Sequence, residues 1–437
     1  MKPIIIRYAL PFITALIICF TSVSLMMMNT GDYYRAVFPF IENIQQFTMN
    51  LPLHYELKGN FSSLVSYEYK SSYSYILYFY AYIVSIFTNI FYVPIYSSLL
   101  KITYILTLAV LFYRIETIKD KRILILSYLI SLIPMISSSN LAFFGSFYQE
   151  QVLLVCLPLL LIGCMTPGWK GIACSFLSIT IISCSKSQFF YLPIIMLTYY
   201  IIYDNENIKY KAIASLISLS LSVLCIFTTT STVEYNKYHS LFFGVYEYQR
   251  LNQEKLPEGI DTDCIGIDAW GNKFNLEAGV IGTSIGESCF QKHKDASFKD
   301  TLSVITKNPF ILLALPFDKG TNTQLTEDYF HVYKAMKLII NNNGFYSQIT
   351  EAKDYLFKNI RFFALLVILA GAILLRRRKI SGALFITSSF GVSQFYIAFL
   401  GEGYRDMDKH LFGMNFSFDL SLFLLLILAA SRIKKPQ

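Results

Sequence analysis

Long apolar blocks alternate with short polar connectors along most of the chain. The blocks run to roughly 18–22 residues, which is the length of α-helix that crosses the hydrocarbon core of a bilayer. A soluble protein of this size would divide its apolar residues among shorter amphipathic segments. The pattern therefore predicts an all-α polytopic membrane protein. About ten transmembrane helices are expected by this length criterion, at residues 8–28, 95–113, 123–138, 151–165, 172–184, 189–203, 212–229, 361–375, 381–400 and 411–431.

Positive charges orient these spans. Lys2 and Arg7 precede the first span, and residues 114–122 carry four positive charges between two later spans. Because Lys and Arg concentrate in cytoplasmic loops, we expect both chain termini in the cytoplasm. The same rule makes residues 73–92 an interfacial helix within a first outer loop of residues 29–94, since two spans there would place the basic loop outside.

The composition limits the expected partners. Charged residues make up 15% of the chain, whereas a typical soluble domain has about a quarter. The net charge of +8 does not indicate nucleic acid, because the Lys and Arg residues lie in the short connectors that set membrane orientation. We therefore expect the lipid bilayer as a partner and no nucleic acid.

The longest polar stretch separates two membrane regions. Residues 231–360 are predicted to form a mixed, mainly soluble domain outside the cytoplasm, between an N-terminal region of residues 1–230 and a C-terminal region of residues 361–437. Cys264 and Cys289 both lie in this stretch. A compartment outside the cytoplasm is oxidising, so we expect these two cysteines to form a disulfide.

Asp32 lies just beyond the first span, in residues 29–35. A carboxylate at the membrane surface beside an apolar wall is partly desolvated, so we expect its basicity to rise and the group to act as a general base. Arg35 follows in the same segment. The alternative is a structural role, because Asp after Gly commonly starts a helix.

Glu150 and Lys186 lie at the outer ends of later spans. Glu150 is a candidate second acid or metal ligand, or else a carboxylate favoured by a helix dipole. Lys186 lies in residues 184–188, outside the membrane and against the positive-inside trend. It suits a phosphate or pyrophosphate near the membrane surface, and the alternative is a side chain that extends to the interface for solvation.

Residues 401–410 crowd charges of both signs between the last two spans. The segment contains Arg405, Asp406, Lys409 and His410. A merely solvated turn would not need these four residues together, so we expect them to bind substrate. Asp419 lies well inside the next span, where a charge is costly unless it faces protein or water.

The large loop contains His239 within residues 237–244, and later Trp270 and many Tyr. Aromatic rings that stack on sugar faces would suit a carbohydrate acceptor, and the same rings would equally suit the core of a small domain. The sequence has no His-x-x-x-His or Cys-x-x-Cys pair, no phosphate-binding Gly loop and no nucleophile elbow. Nucleotide hydrolysis and zinc chemistry are therefore unsupported.

This layout resembles the GT-C class of membrane glycosyltransferases, which use polyprenyl-phosphate sugars as donors. The resemblance rests on a carboxylate after the first span, an interfacial helix, a further acidic residue in the second outer loop and a soluble outer domain. The chain length and the long loop make it similar to the prophage-encoded serotype-converting O-antigen glucosyltransferases (Gtr type). Asp32 stands alone, without the Asp-Asp or Asp-x-Asp pair common in GT-C enzymes. We therefore assign no metal ligand, and the use of a divalent cation as a cofactor is left open.

The resemblance also implies roles for individual residues. Asp32 would take the proton from the acceptor hydroxyl, and Glu150 would assist. Lys186, with Arg35 or Arg405, would hold the lipid phosphate of the donor and stabilise it as it leaves. The implied donor is undecaprenyl phosphate–glucose, and the implied acceptor is an O-antigen polysaccharide repeat of lipopolysaccharide, at the periplasmic side of the bacterial inner membrane.

Two other readings stay open. A transporter or lipid-linked sugar flippase would carry internal repeats and polar groups near the bilayer midplane, whereas most charges here are expected at the outer ends of spans. An O-antigen polymerase or ligase would also be polytopic with a large outer loop. The early carboxylate at Asp32 favours a transferase that uses a monosaccharide donor.

Overall fold

The protein is mostly helical, and its computed structural model describes residues 3–229, 233–277, 279–329, 337–341, 344–376 and 379–432. The helices before the large loop are α1 (Pro3–Thr21), α2 (Gly31–Val37), α3 (Ser72–Ser85), α4 (Val93–Ile115), α5 (Lys121–Leu132), α6 (Ser138–Phe144), α7 (Gln151–Cys164), α8 (Gly168–Ser183), α9 (Leu192–Tyr203) and α10 (Ile208–Phe227). Those of the loop are α11 (Val233–Tyr238), α12 (Tyr246–Leu251), α13 (Gly286–Lys292), α14 (Phe298–Lys307), α15 (Phe310–Ala314), α16 (Lys319–Thr323) and α17 (Phe345–Phe357). The last helices are α18 (Arg361–Leu374), α19 (Lys379–Glu402), α20 (Met407–His410) and α21 (Phe412–Ser431).

Short elements complete the fold. The strands are β1 (Met26–Met27), β2 (His54–Glu56), β3 (Ile90–Tyr92), β4 (Asn272–Asn275), β5 (Gly279–Gly282) and β6 (Ile339–Ile340). In the part of the chain that the structure describes, they form three antiparallel pairs, β1 with β6, β2 with β3, and β4 with β5. The 3-10 helices are Leu64–Ser66, Ile133–Ile136, Ser187–Phe189, Thr262–Cys264 and Leu315–Phe317, and His239–Val245 is a π-helix.

Among the described residues, four helices are long and apolar enough to cross a membrane, namely α4, α10, α19 from Ile380 and α21. Two bent pairs raise this number to six if each pair is one span: Lys121–Ile136 with Ser138–Phe144 at 71°, and Phe345–Phe357 with Arg361–Leu374 at 73°. The chain is therefore a mainly helical protein with several candidate membrane spans. The shorter apolar helices Arg7–Thr21, Gln151–Cys164, Gly168–Ser183 and Ser187–Tyr203 overlap further predicted spans, and the total of ten stays a prediction.

The polar gap between the predicted spans 123–138 and 151–165 favours an outer loop at residues 140–150, but the structure shows a buried, partly helical segment there. The chain bends at Ser137, and residues 138–144 form the helix α6. Every residue from 138 to 150 is buried. The physical reason is that the apolar side chains of Leu141, Phe143 and Phe144 leave water only when this segment folds back into the protein.

Two predicted helices end earlier than expected. The first span was expected to continue to Met28, but α1 ends at Thr21, and Met26 and Met27 pair instead with Ile340 and Ile339 of β6. The interfacial helix was expected to reach residue 92, but α3 ends at Ser85, and β3 pairs with β2. A short apolar run near the end of a helix can equally form a β-strand. Whether it continues the helix or forms a strand depends on whether a distant segment pairs with it.

The large loop shares its hydrophobic core with the C-terminal helices. Phe243 and Phe290 of the loop belong to one buried cluster with Phe399 near the end of α19 and Leu411 and Met414 around the start of α21. This packing holds the loop against the segment that joins α19 to α21. That segment is the charged stretch 401–410.

Candidate functional site

A close backbone contact presses the 401–410 segment against the π-helix. The Tyr404 N–H donates a hydrogen bond to the Phe243 carbonyl oxygen at 3.1 Å. Gly403 has a φ of +64°, and a Cβ atom there would lie 2.3 Å from the same oxygen. Only glycine fits this left-handed position and this approach without displacement. The turn then directs the following charged side chains inward.

Four distant parts of the chain meet in an ionic cluster that is buried except for the partly exposed Asp32 and Arg35. We define the cation-rich cluster as Asp32, Arg35, Glu150, Lys186 and Lys409. Lys409 Nζ lies 2.5 Å from Asp32 Oδ2, and Arg35 Nη1 lies 3.3 Å from Asp32 Oδ1. Lys186 Nζ lies 2.5 Å from Glu150 Oε1. The Glu150, Lys186 and Lys409 side chains are almost completely buried.

His410 connects this cluster to a second set of charges. Its Nδ1 atom lies 3.5 Å from Lys186 Nζ, and its Nε2 atom lies 3.3 Å from Glu402 Oε2. Gln188 Oε1 lies 3.2 Å from the same Nδ1 atom. The imidazole therefore stands between a cation of one set and a carboxylate of the other.

The second set is the Arg405 group, which comprises Arg405, Asp268, Glu402 and Asp406. Arg405 Nε lies 3.2 Å from Asp268 Oδ2, Nη1 lies 3.2 Å from Glu402 Oε2, and Nη2 lies 3.6 Å from Asp406 Oδ2. One guanidinium thus meets three carboxylates.

His239 lies beside the Arg405 group and not in the cation-rich cluster. Its Nε2 atom accepts the Ala269 N–H at 3.0 Å, and the ring is fully buried. Burial lowers its pKa to about 3, and the nearby positive charge of Arg405 adds to this effect. His239 is therefore neutral near pH 7. The other predicted site residues, apart from the two cysteines, lie in these two sets or, in the case of His410, between them.

The expectation that the membrane surface raises the basicity of Asp32 is wrong in this structure. Burial by itself would raise the pKa of Asp32, but the positive charges of Arg35, Lys409 and Lys186 outweigh it and hold that pKa well below its ordinary value. Burial would likewise raise the pKa of Glu150, and Lys186 and Lys409 lower it. Both carboxyl groups are therefore ionised, because their cationic neighbours dominate over the loss of water.

The cation-rich cluster has more donors than acceptors. Within the cluster, Arg35, Lys186 and Lys409 pair with two carboxylates, so the charges of these five side chains sum to +1. Two carboxylates of the neighbouring Arg405 group also act on Arg35 and Lys409. The Arg35 Nε and Gln149 Nε2 atoms are buried and have no hydrogen-bond partner. Buried donors normally have partners. An anion with several acceptor oxygens would supply the missing charge and the missing acceptors.

Sequence reasoning missed several of these residues. Gln149 is the neighbour of Glu150, and Glu402 belongs to the charged 401–410 segment, so both carried a signal. Asp268 carried no such signal, because a single acidic residue in a long polar loop cannot be told from the other polar residues around it. Two tyrosines also line the cations: the Arg35 Cζ atom lies 4.1 Å from the Tyr69 ring centroid, and Lys409 Nζ lies 5.0 Å from that of Tyr148.

A separate buried network explains the charge inside the last span. Lys353 Nζ lies 2.5 Å from both Glu327 Oε2 and Asp419 Oδ2. Arg361 Nη2 lies 2.8 Å from Glu327 Oε1, and Asn140 Nδ2 donates to Asp419 Oδ2 at 2.9 Å. Asp419 therefore faces protein, as its cost in a membrane requires.

The cysteines of the large loop are paired. Cys264 and Cys289 form a disulfide. Among the described residues, Asp261, Cys264 and His293 come close enough to hold a metal ion. Cys264 has no thiolate to offer while it is in the disulfide, and the Asp261 carboxylate already pairs with Lys292 and His293. This group is therefore explained as part of the loop structure.

Comparison with known proteins identifies one family. Residues 308–436 match the family model described as the YfdI N-terminal transmembrane domain. The chain is 43% identical over 429 residues to the uncharacterized protein YfdI of Escherichia coli (strain K12), and the match covers 98% of this chain and 96% of that protein. No solved structure matches the chain.

Proposed function

The chain belongs to the YfdI family, and we propose that it is a polyprenyl-phosphate-sugar-dependent glycosyltransferase. In this proposal it transfers a glucosyl residue from undecaprenyl phosphate–glucose to a sugar of the lipopolysaccharide O-antigen repeat. The reaction takes place at the periplasmic side of the bacterial inner membrane, with both chain termini in the cytoplasm. The proposal follows the GT-C and Gtr-type resemblance of the sequence, and the cation-rich cluster is the observation that supports it.

The leaving group of this reaction needs such a cluster. When the bond between the sugar and the phosphate breaks, the polyprenyl phosphate takes the electron pair and gains negative charge. Arg35, Lys186 and Lys409 would stabilise that charge through hydrogen bonds from ionised donors. The unpartnered Arg35 Nε and Gln149 Nε2 atoms are further donors for the phosphate oxygens.

Donor binding would also activate Asp32. In the structure its carboxylate holds Lys409 and Arg35, which keep its pKa low and make it a weak base. A bound phosphate competes for these two cations, so the pKa of Asp32 rises only when the donor is in place. The carboxylate then takes the proton of the acceptor hydroxyl as that oxygen bonds to the sugar carbon. Glu150 assists by holding Lys186 in position.

A divalent cation has a specific obstacle in this arrangement. Asp32 and Glu150 each hold a lysine ammonium at 2.5 Å. A metal ion that used these carboxylates would have to displace Lys409 or Lys186. The three cations already provide the charge stabilisation that a metal ion would bring.

The proposal is tested with Asp32→Asn, which keeps the shape of the side chain but removes the base. We expect the variant to accumulate in the membrane and to leave the O-antigen unmodified in glycosyl linkage analysis of host lipopolysaccharide. Asp204→Asn is the matched control, because Asp204 also pairs with a lysine, Lys211 at 2.6 Å, but lies outside the cluster. Normal modification by Asp32→Asn, or no new glucosyl linkage with the unaltered protein, would overturn the proposal.

A further inference from the structure

An exposed tryptophan stands next to the Arg405 group. Trp270 is 54% exposed, and the Arg405 Cζ atom lies 5.6 Å from its ring centroid. We propose that Trp270, Arg405 and His239 form a binding site for an uncharged sugar of the acceptor glycan. This inference rests on the proposed function and identifies where the acceptor chain, as distinct from the lipid-linked donor, is held.

The indole is held rigidly from one side. Tyr235 stacks on Trp270 with ring centroids 4.5 Å apart and on Phe290 with centroids 4.4 Å apart. Phe290 is buried and follows Cys289 of the disulfide. The three rings form a stack anchored in the loop core, so Trp270 is exposed in a fixed orientation. A fixed aromatic surface loses little conformational entropy when a ligand binds.

A buried carboxylate links the tryptophan to Arg405. Asp268 is fully buried. One of its oxygens, Oδ1, accepts the backbone N–H of Trp270 at 2.9 Å, and the other, Oδ2, accepts from Arg405 Nε at 3.2 Å. The same side chain therefore positions the ring and the guanidinium relative to each other. An isolated aromatic residue on the surface would not need such a connection.

His239 supplies an unsatisfied donor close enough to Arg405 for the charge of the guanidinium to act on its ring. Its Nε2 atom accepts the Ala269 N–H, so the neutral ring carries its proton on Nδ1. That Nδ1 atom is buried and has no hydrogen-bond partner. A ligand oxygen beside Arg405 would satisfy it, and a buried donor of this kind costs free energy until it is satisfied.

The charges favour a neutral ligand over an anion. Arg405 already faces the carboxylates of Asp268, Glu402 and Asp406, so the group has no positive charge to spare. A sugar fits: its C–H face packs on an aromatic ring, and its hydroxyls meet polar groups at the edge. His410 joins Glu402 to Lys186, so this site adjoins the cation-rich cluster where the donor phosphate is proposed to bind.

Intrinsic fluorescence tests the site directly, because Trp169 and Trp270 are the two tryptophans of the chain. Trp169→Phe leaves Trp270 as the reporter. We expect delipidated O-polysaccharide to change its emission saturably, and core oligosaccharide without O-antigen repeats to leave it unchanged. Adding Asp32→Asn in this background should preserve the response, because Asp32 pairs with Arg35 and Lys409 of the cation-rich cluster and not with the residues around Trp270.

Enzyme kinetics provide the second test of this site. Trp270→Ala should raise the KM for the acceptor by roughly tenfold, the size of effect expected for one aromatic contact, and leave the KM for the donor unchanged. Trp270→Phe should recover most of the loss. If transfer occurs but neither the fluorescence nor the acceptor KM responds, this inference is wrong and the proposed function stands. If glycan binds at Trp270 but no sugar is transferred, the proposed function is wrong and the glycan site stands.

Discussion

At the scale of single residues, Lys409 controls the charge of the site. It is buried, its ammonium touches Asp32 at 2.5 Å, and it lies over the ring of Tyr148. Burial by itself would lower the pKa of Lys409, but the carboxylates of Asp32 and Glu150 raise it. Lys409 is therefore a permanent cation, and the ionisation of Asp32 depends on it.

Replacement of Lys409 by Gln should weaken donor binding more than it changes protein stability. Loss of one hydrogen bond from a charged donor costs about 1.5–3 kcal/mol, so we expect the KM for the donor to rise roughly ten- to a hundredfold. Lys409→Arg keeps the charge and should retain most activity, and Lys211→Gln is the control at an ion pair outside the cluster. Initial rates over a range of donor concentrations measure the effect, and an unchanged donor KM in Lys409→Gln would count against the phosphate role.

His239 makes the stability of the fold depend on pH. Its folded-state pKa of about 3 lies below the ordinary value of 6.5, first because of burial and then because of Arg405. Between these values the unfolded chain binds a proton and the folded chain does not. The stabilisation is therefore complete above an ordinary histidine pKa of about 6.5 and is lost as the pH falls toward about 3.

We expect the thermal midpoint of the detergent-purified protein to fall more between about pH 7.5 and pH 5 than that of His239→Gln. The glutamine amide oxygen can still accept the Ala269 N–H, but the side chain does not titrate. His54→Gln, at an exposed histidine, should keep the full pH dependence. If the thermal midpoint fell equally with pH in the unaltered protein and in His239→Gln, His239 would not be the source of the pH dependence.

At the scale of elements, two bent helix pairs are joined through one lysine. Lys353 of α17 reaches Ser137 Oγ at 2.9 Å, at the break before α6, as well as Asp419 of α21. Ser138 Oγ of α6 also lies 2.8 Å from Thr350 Oγ1 of α17. Polar contacts therefore connect the two bends to each other and to α21. At these bends, buried polar contacts take the place of the continuous apolar packing that straight spans would have.

Lys353→Met should strongly destabilise the fold, because it leaves the Glu327 and Asp419 carboxylates buried with one cation fewer. Breaking a buried ion pair by removing one partner costs about 3–5 kcal/mol. The double variant Lys353→Met with Asp419→Asn removes one unpaired charge and should recover part of that loss. Thermal unfolding in detergent measures both. A double variant no more stable than the single one would show that charge is not the cause.

At the scale of the whole molecule, the candidate site and the large loop lie at one end of the C-terminal helices. The loop core includes Phe399 near the end of α19 and Leu411 at the start of α21. The basic connectors are expected at the other end. The proposed reaction requires this separation, because a lipid-linked donor and a polysaccharide acceptor meet outside the cytoplasm.

Reporter fusions test that sidedness. A reporter that works only outside the cytoplasm should be active after Gly259 in the large loop. It should be inactive after Arg376, because positively charged connectors stay inside. A fusion after Gly168, in another expected inner connector, is the matched negative control. Activity after Arg376 and none after Gly259 would reverse the orientation and remove the basis of the proposed reaction.

The sequence by itself determined most of the helices and pointed to many of the candidate site residues. A membrane span must satisfy its own backbone hydrogen bonds, so an apolar block of sufficient length is a helix whatever surrounds it. The bounds of α19 and α21 accordingly lie close to those predicted. Charges near membranes are costly, so Asp32, Glu150 and Lys186 stand out in an apolar chain.

Only the tertiary structure decided which of these charges meet. Asp32 and Lys409 are 377 residues apart in the chain, and no local pattern pairs them. The direction of the Asp32 pKa depends on that pairing, because burial alone would have raised it. The same holds for Lys353, which gives Asp419 its partner, and for Trp270, which Asp268 positions beside Arg405. Contacts of this kind follow from the packing of distant helices, and the physical effect of a charge is set by its neighbours in space.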